Sequence, residues 1–177
     1  YSNTTGNYNT ASGFKALYTN TTASYNTASG MYALYSNTTG DNNTAIGYKA
    51  LYTNTTNYGH VAVGMNALLN TQGTSIYNTA VGRSAGAANT TGRYNALVGS
   101  FAGDTMTTGH SNVCIGAHSA DAMTTGSNNT TLGRNAGDSI TTGGYNISIG
   151  SWSDTSSAGA SGECVLGNNQ IATLRCN

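Results

Sequence analysis

Asn43-Thr44-Ala45-Ile46-Gly47-Tyr48-Lys49-Ala50-Leu51-Tyr52-Thr53-Asn54-Thr55-Thr56 is the stretch on which the reading of this chain turns. Its opening Asn-Thr-Ala-x-Gly returns along the whole sequence. The closing glycines fall at Gly13, Gly30, Gly47, Gly64, Gly82, Gly99, Gly116, Gly133, Gly150 and Gly167. Every step is 17 residues except Gly64 to Gly82, which is 18. Self-similarity at one short period is the signature of a fold that stacks identical coils. The extra residue lies in Asn70-Thr71-Gln72-Gly73-Thr74-Ser75, a composition suited to a bulged turn.

Working outward from the glycine, an amide column stands four residues before it: Asn9, Asn26, Asn43, Asn78, Asn95, Asn112, Asn129 and Asn146. His60 and Glu163 interrupt it. Two residues before the glycine the column runs Ala28, Ala45, Ala62, Ala80, Leu97, Cys114; one before, it runs Ile46, Val63, Val81, Val98, Ile115, Leu132. Neighbouring strand residues point to opposite faces. Both faces are small or apolar here, which predicts a strand covered on both sides. A thin coil can cover only one of them itself, so several chains are expected to wind together.

A second set of columns follows the glycine. Ala16, Ala33, Ala50, Ala67, Ala85, Ala102 and Ala136 lie three residues on, and Thr-Thr-Gly turns such as Thr107-Thr108-Gly109 come next. Two short strands and two turns per coil are expected, with no helix, because Gly, Thr and Asn are poor helix formers. The fold class is therefore all-β: a parallel β-solenoid or β-roll of ten coils, about 17 residues each. Residues 1–167 form the roll. Leu17, Leu34, Leu51 and Leu68, with Tyr18, Tyr35 and Tyr52, mark a first type of coil over 1–69. Over 70–167 the leucine gives way to glycine, and Met106, Met123 and Ile140 appear three places later. Residues 168–177 leave the pattern and read as an exit strand toward a further domain.

Composition narrows the function classes. Charged residues are 7% of the chain, the formal net charge is zero, and there is no proline. Proline would delete a ladder hydrogen bond in every inner coil. Twelve tyrosines argue for order over a disordered polar tract. Six scattered Lys and Arg do not make a phosphate-binding surface, so no nucleic-acid partner is expected. No apolar run reaches the length of a membrane span, and no membrane insertion is expected. The chain opens in mid-repeat, as a piece of a longer polypeptide would.

Candidate chemistry is sparse. The acids Asp41, Asp104, Asp121, Asp138, Asp154 and Glu163 form no local pair suited to glycan cleavage, and no enzyme activity or cofactor is expected. Asp104, Asp121 and Asp138 each follow a glycine by five residues. Stacked, they are either a solvated edge or a cation ladder. His60, His110 and His118 have no metal-ligand spacing. Cys114 and Cys164 read as small buried hydrophobes. Tyr18, Tyr35 and Tyr52 read as a self-stacked column or a sugar-binding stripe. Asn-x-Thr/Ser sequons at Asn3, Asn20, Asn37, Asn54, Asn89, Asn129 and Asn146 arise from the composition itself. Ice binding would need a sustained Thr-x-Thr row, and the adjacent Thr-Thr pairs do not supply one.

Asn43-Thr44-Ala45-Ile46-Gly47 and Asn78-Thr79-Ala80-Val81-Gly82 resemble repeats of YadA-like heads in trimeric autotransporter adhesins. Residues 43–56 resemble bacteriophage tail fibres even more. The ending Leu166-Gly167-Asn168-Asn169-Gln170-Ile171-Ala172-Thr173-Leu174-Arg175-Cys176-Asn177 is similar to the strand that leads into an endosialidase-type intramolecular chaperone. The resemblance implies a left-handed, homotrimeric roll and a virion location, as the shaft or head of a tail fibre. Its partners would be sister chains and a host cell-surface glycan or protein. A bacterial surface adhesin head, binding host matrix or glycan, is the alternative it leaves.

Overall fold

A computed structural model describes residues 2–168 and 170. Each Asn-Thr-Ala-x-Gly repeat contributes one three-residue strand. In chain order these are β1 (Thr10–Ser12), β2 (Thr27–Ser29), β3 (Thr44–Ile46), β4 (Val61–Val63) and β5 (Thr79–Val81). They continue as β6 (Ala96–Val98), β7 (Val113–Ile115), β8 (Thr130–Leu132), β9 (Ile147–Ile149) and β10 (Cys164–Leu166). All ten lie side by side in one parallel sheet in sequence order. The register matches repeat to repeat, so Ala28 stands opposite Ala45 and Ile46 opposite Val63. The architecture is a parallel β-solenoid with no helix among the described residues. Most of the stretch expected as an exit strand, 168–177, lies outside the described residues.

Side-chain alternation sets what is inside. The middle residue of each strand points inward: Ala28, Ala45, Ala62, Ala80, Leu97 and Cys114 are fully buried. The flanking residues point outward, and in one chain they are not covered. Ile46 is 42% exposed and Leu132 44%. One chain covers one face of the strand, as expected of a thin coil, and leaves the other open.

Close stacking fixes the corner glycine. Gly30 has φ +133°, and a Cβ added there would sit 2.6 Å from the Gly47 carbonyl oxygen of the next coil. The other corners use the left-handed region with ordinary residues, as at Asn42 (φ 59°), Lys49 (φ 55°) and Leu51 (φ 52°). Each such residue costs roughly 1–2 kcal/mol. It is held there by bonds to neighbouring coils: Lys49 N donates to Met31 O and Leu51 N to Ala67 O, each at 3.0 Å.

The wall opposite the sheet carries no strand, against the expectation of two per coil. Thr38 N and Thr39 N both donate to Thr55 O, at 2.8 and 3.2 Å. Two successive amides on one carbonyl break the alternation that a ladder requires. The Thr38 hydroxyl joins the same carbonyl at 3.0 Å, and Thr21, Thr90, Thr107 and Thr124 repeat the contact.

Amides fill much of the interior. Asn43 N donates to Asn26 Oδ1 at 2.9 Å, Asn43 Nδ2 donates to Asn57 O at 2.9 Å, and Asn43 Oδ1 accepts from His60 N at 3.0 Å. Asn43 therefore ties three coils, its backbone N–H reaching the coil before and its side chain the coil after, and the asparagines from Asn26 to Asn146 repeat the backbone-to-amide bond on either side of His60. A second amide row, Asn3, Asn20, Asn37 and Asn54, bonds side chain to side chain at 3.0–3.2 Å. The apolar filling changes along the stack. Leu34, Leu51 and Leu68 occupy the centre of the early coils. Where glycine replaces leucine at Gly86, a Cβ would meet Leu97 Cδ1 at 2.6 Å. Leu97 from the sheet, and then Met106, Met123 and Ile140 from the opposite wall, fill that volume.

Replacing Asn112 by alanine strands the Asn129 amide and the Gly126 carbonyl, which it now satisfies at 2.9 Å each. A loss of about 2–4 kcal/mol is expected. Thermal melts followed by circular dichroism should show it, while alanine at the exposed Thr108 leaves the melt within error of the parent.

Candidate functional site

Three surface features carry chemistry: the outward face of the sheet, a carboxylate row, and an interruption of the stack. The sheet face comes first because it is the longest. Its two rows run Thr27, Thr44, Val61, Thr79, Val113, Ile147 and Ile46, Val63, Val81, Val98, Ile115, Leu132, Ile149, Leu166. No charged residue occurs at these positions. The polar serines, Ser12 and Ser29, are confined to the first two strands.

Asp104, Asp121 and Asp138 stand one per coil on a single edge. His118 Nδ1 pairs with Asp121 Oδ2 at 2.7 Å, and its ring stacks on Phe101 at 5.0 Å between centroids. Asp154, further along, accepts from Ser139 N at 2.9 Å. Among the described residues, no group of three or more His, Cys, Asp or Glu side chains converges tightly enough to hold a metal ion. The row is a strip of like charge with one histidine. Partial burial first, and the Asp121 charge second, raise the Asp104 and Asp138 carboxyls above their ordinary value of 3.8.

Other candidate residues fall to structural roles. Tyr18, Tyr35 and Tyr52 stack face to face, with centroids 5.6 and 5.3 Å apart and planes within 2° and 13°. Ring faces that cover one another are not free to stack on sugar. His60 Nδ1 accepts from Asn78 N at 3.2 Å, continuing the amide column. Burial pushes His60 down to about 4, against smaller upward pulls from the Ser75 and Asn78 backbone. It is neutral at pH 7. Cys114 is buried, with its thiol pushed up to about 12, whereas Cys164 is exposed and so departs from its expected burial. The sequon asparagines Asn20, Asn37, Asn54, Asn89, Asn129 and Asn146 are buried in the folded chain, so their amides are closed to glycan attachment.

The third feature is where the repeat slips. At the 18-residue step, the second amide row ends: Thr71 replaces asparagine and turns its hydroxyl to Leu68 O. Asn54 Oδ1 is left without a donor. Asn57 stands where other coils place Gly40, Gly92, Gly109 or Gly126. Asn57 Nδ2 and His60 Nε2 are likewise buried without a hydrogen-bond partner. Three orphaned polar atoms thus gather within residues 54–60. Above them opens a hollow of about 300 Å³, lined by Thr56, Asn57, Tyr58, Thr74, Ile76 and Arg93. A second, of about 240 Å³, adjoins it and shares Thr74 and Arg93. The sequence marked this place by one extra residue. It did not mark the amide defects, which follow from losing a partner one coil away.

No known protein family, curated protein or solved structure matches this chain.

A carboxyl whose value is raised by folding holds its proton more tightly folded than unfolded. Asp104 and Asp138 therefore weaken the fold at neutral pH, and that loss is recovered as pH falls through their raised values toward 3.8. Glu163, held low by Ser156, changes with the opposite sign. The Asp104→Asn/Asp138→Asn double variant should melt higher than the parent at pH 7. The gap should close at pH 4, as read from paired melting curves.

Proposed function

We propose that this chain is a rod module that associates with identical copies through the outward face of its sheet. In this reading it forms the shaft or head of a trimeric bacteriophage tail fibre and holds a host-binding element away from its base. The observation that carries the reading is the pair of uncharged rows on that face, from Ile46 to Leu166. Exposed apolar patches of this extent mark association surfaces in soluble proteins. Parallel coils of one pitch also let identical chains align rung by rung, so the same contact repeats at every level. The repeat phrase of residues 43–56 supports the tail-fibre assignment, and the three-fold count comes from that resemblance. A surface adhesin head would share the rod and the face. The sequence that follows the roll separates the two: a chaperone or tip domain means a fibre, and a coiled-coil stalk with a membrane anchor means an adhesin.

The reading makes no use of catalysis. Asp104, Asp121 and Asp138 are spread one per coil, and the buried asparagine column serves coil-to-coil bonding.

Native mass spectrometry should give three times the 18.0 kDa chain mass. A species at the single-chain mass under native conditions would sink the proposal. Ile115→Glu with Leu132→Glu puts two charges on the face without touching the interior. It should shift the population to single chains while the β-rich circular dichroism spectrum persists.

A further inference from the structure

We propose that the interruption of the stack between Thr56 and Arg93 is a binding groove for a carboxylate-bearing saccharide, such as a sialic or uronic acid. None of its lining residues belongs to a strand, so the inference goes beyond the association face and does not depend on it.

Two groups in this groove lack a partner among the described residues. The first is Arg93. Lys15, Lys49, Arg83 and Arg134 each lie over an aromatic ring, at 5.1–5.5 Å from a centroid. Among the described residues, the Arg93 guanidinium has no ring, ion pair or hydrogen bond. The second is the Asn57 amide. It lines the hollow, is 3% exposed, and its Nδ2 donates to nothing. A buried donor left unpaired costs about 1–3 kcal/mol, and the columns on either side of it show how readily this fold satisfies asparagine. Both unpaired groups are donors, so the missing partner is an acceptor.

The setting then selects which acceptor. A planar guanidinium suits a carboxylate through two parallel hydrogen bonds. A polyphosphate or nucleic acid would call for several cations, and Arg93 is the one cation on the lining. Thr56 and Thr74 are exposed beside it and present hydroxyls that can donate or accept, as sugar hydroxyls require. Tyr58 and Ile76 supply apolar contact for the C–H edges of a pyranose ring. Polar donors on one side and a small apolar patch on the other suit an acidic sugar.

The groove also depends on the register slip. Gly73, with φ +63°, turns the chain where a regular coil would present a threonine, and a Cβ there would lie 3.0 Å from Thr91 Cγ2. Threonines face outward singly at Thr22, Thr39, Thr91, Thr108 and Thr125. The hollow opens where that row is broken.

Saturation-transfer NMR and calorimetry on the full chain test the proposal, with sialyllactose and digalacturonate as acidic probes, lactose as the neutral one, and acetate as the bare carboxylate. Expected is binding of at least one acidic probe, none of lactose, and no competition by acetate at equal concentration. Arg93→Gln should lower affinity at least about tenfold, the loss of a charge-assisted pair. Asn57→Ala should lower it by a smaller factor while leaving the melt unchanged or higher. Arg93 is exposed, so an unaltered melt and native mass confirm that its variant is folded and assembled as the parent is. Failure of both acidic probes to bind, equal binding of lactose, full competition by acetate, or an Arg93→Gln chain that binds like the parent each overturns the groove. Native mass is read separately, so a single-chain result bears on the rod assignment alone.

Discussion

A coil this thin buries one apolar side chain or so per level beside many alanines, and its register rests on hydrogen bonding between successive coils. Backbone groups in the interior must all be paired, since a buried orphan costs as much as a small hydrophobic side chain gains. The asparagine column meets this need. Each amide offers donors and an acceptor at the height where the next coil's backbone passes, so its side chain closes bonds to the following coil while its backbone N–H is taken by the amide of the coil before. The register cannot vary without breaking several such bonds at once. This is why the 17-residue period is held almost without exception.

The apolar part of the interior is interchangeable by comparison. Leu34, Leu51 and Leu68 fill the early coils from a corner; Leu97, Met106, Met123 and Ile140 fill the later ones from other positions. The source of the filling moves while that part of the interior stays apolar. Cores tolerate exchanges of this kind when filling and patterning are kept. The amide column runs through both segments, with His60 standing in for one amide, which ranks the two interactions: the bonded frame is kept, and the filling adapts to it.

The exterior is shaped by the same frame. Because every coil repeats, any outward residue becomes a row, and a row multiplies whatever its residue does. Valine and isoleucine rows make an uncovered apolar strip; aspartate makes a strip of like charge; tyrosine makes a stack. Individuality enters only where the period slips. The slip removes an amide from the second row and orphans Asn54 Oδ1, and a recess beside Arg93 opens at the same place, with the unpaired Asn57 Nδ2 in its lining. In a fold made of repeats, a defect is where a specific ligand can be told from a generic surface.

The sequence by itself determined the coil, its length, the amide column and the all-β class; that the column points inward was decided by the structure. The former depend on residue type at a fixed spacing, which is visible in the text of the chain. It also showed that the strand has two apolar faces. Which of them is inside one chain was settled by the tertiary structure, since Ala45 and Ile46 differ in direction and not in type. The second strand expected in each coil was absent for a related reason. Lys49 and Leu51 adopt left-handed backbone that glycine or asparagine would advertise in a sequence, and Thr38 and Thr39 share one carbonyl. Neither is encoded in side-chain identity. The groove at the register slip lay deeper still. One surplus residue was legible, but the unpaired donors that give it meaning exist only when one coil is laid on the next.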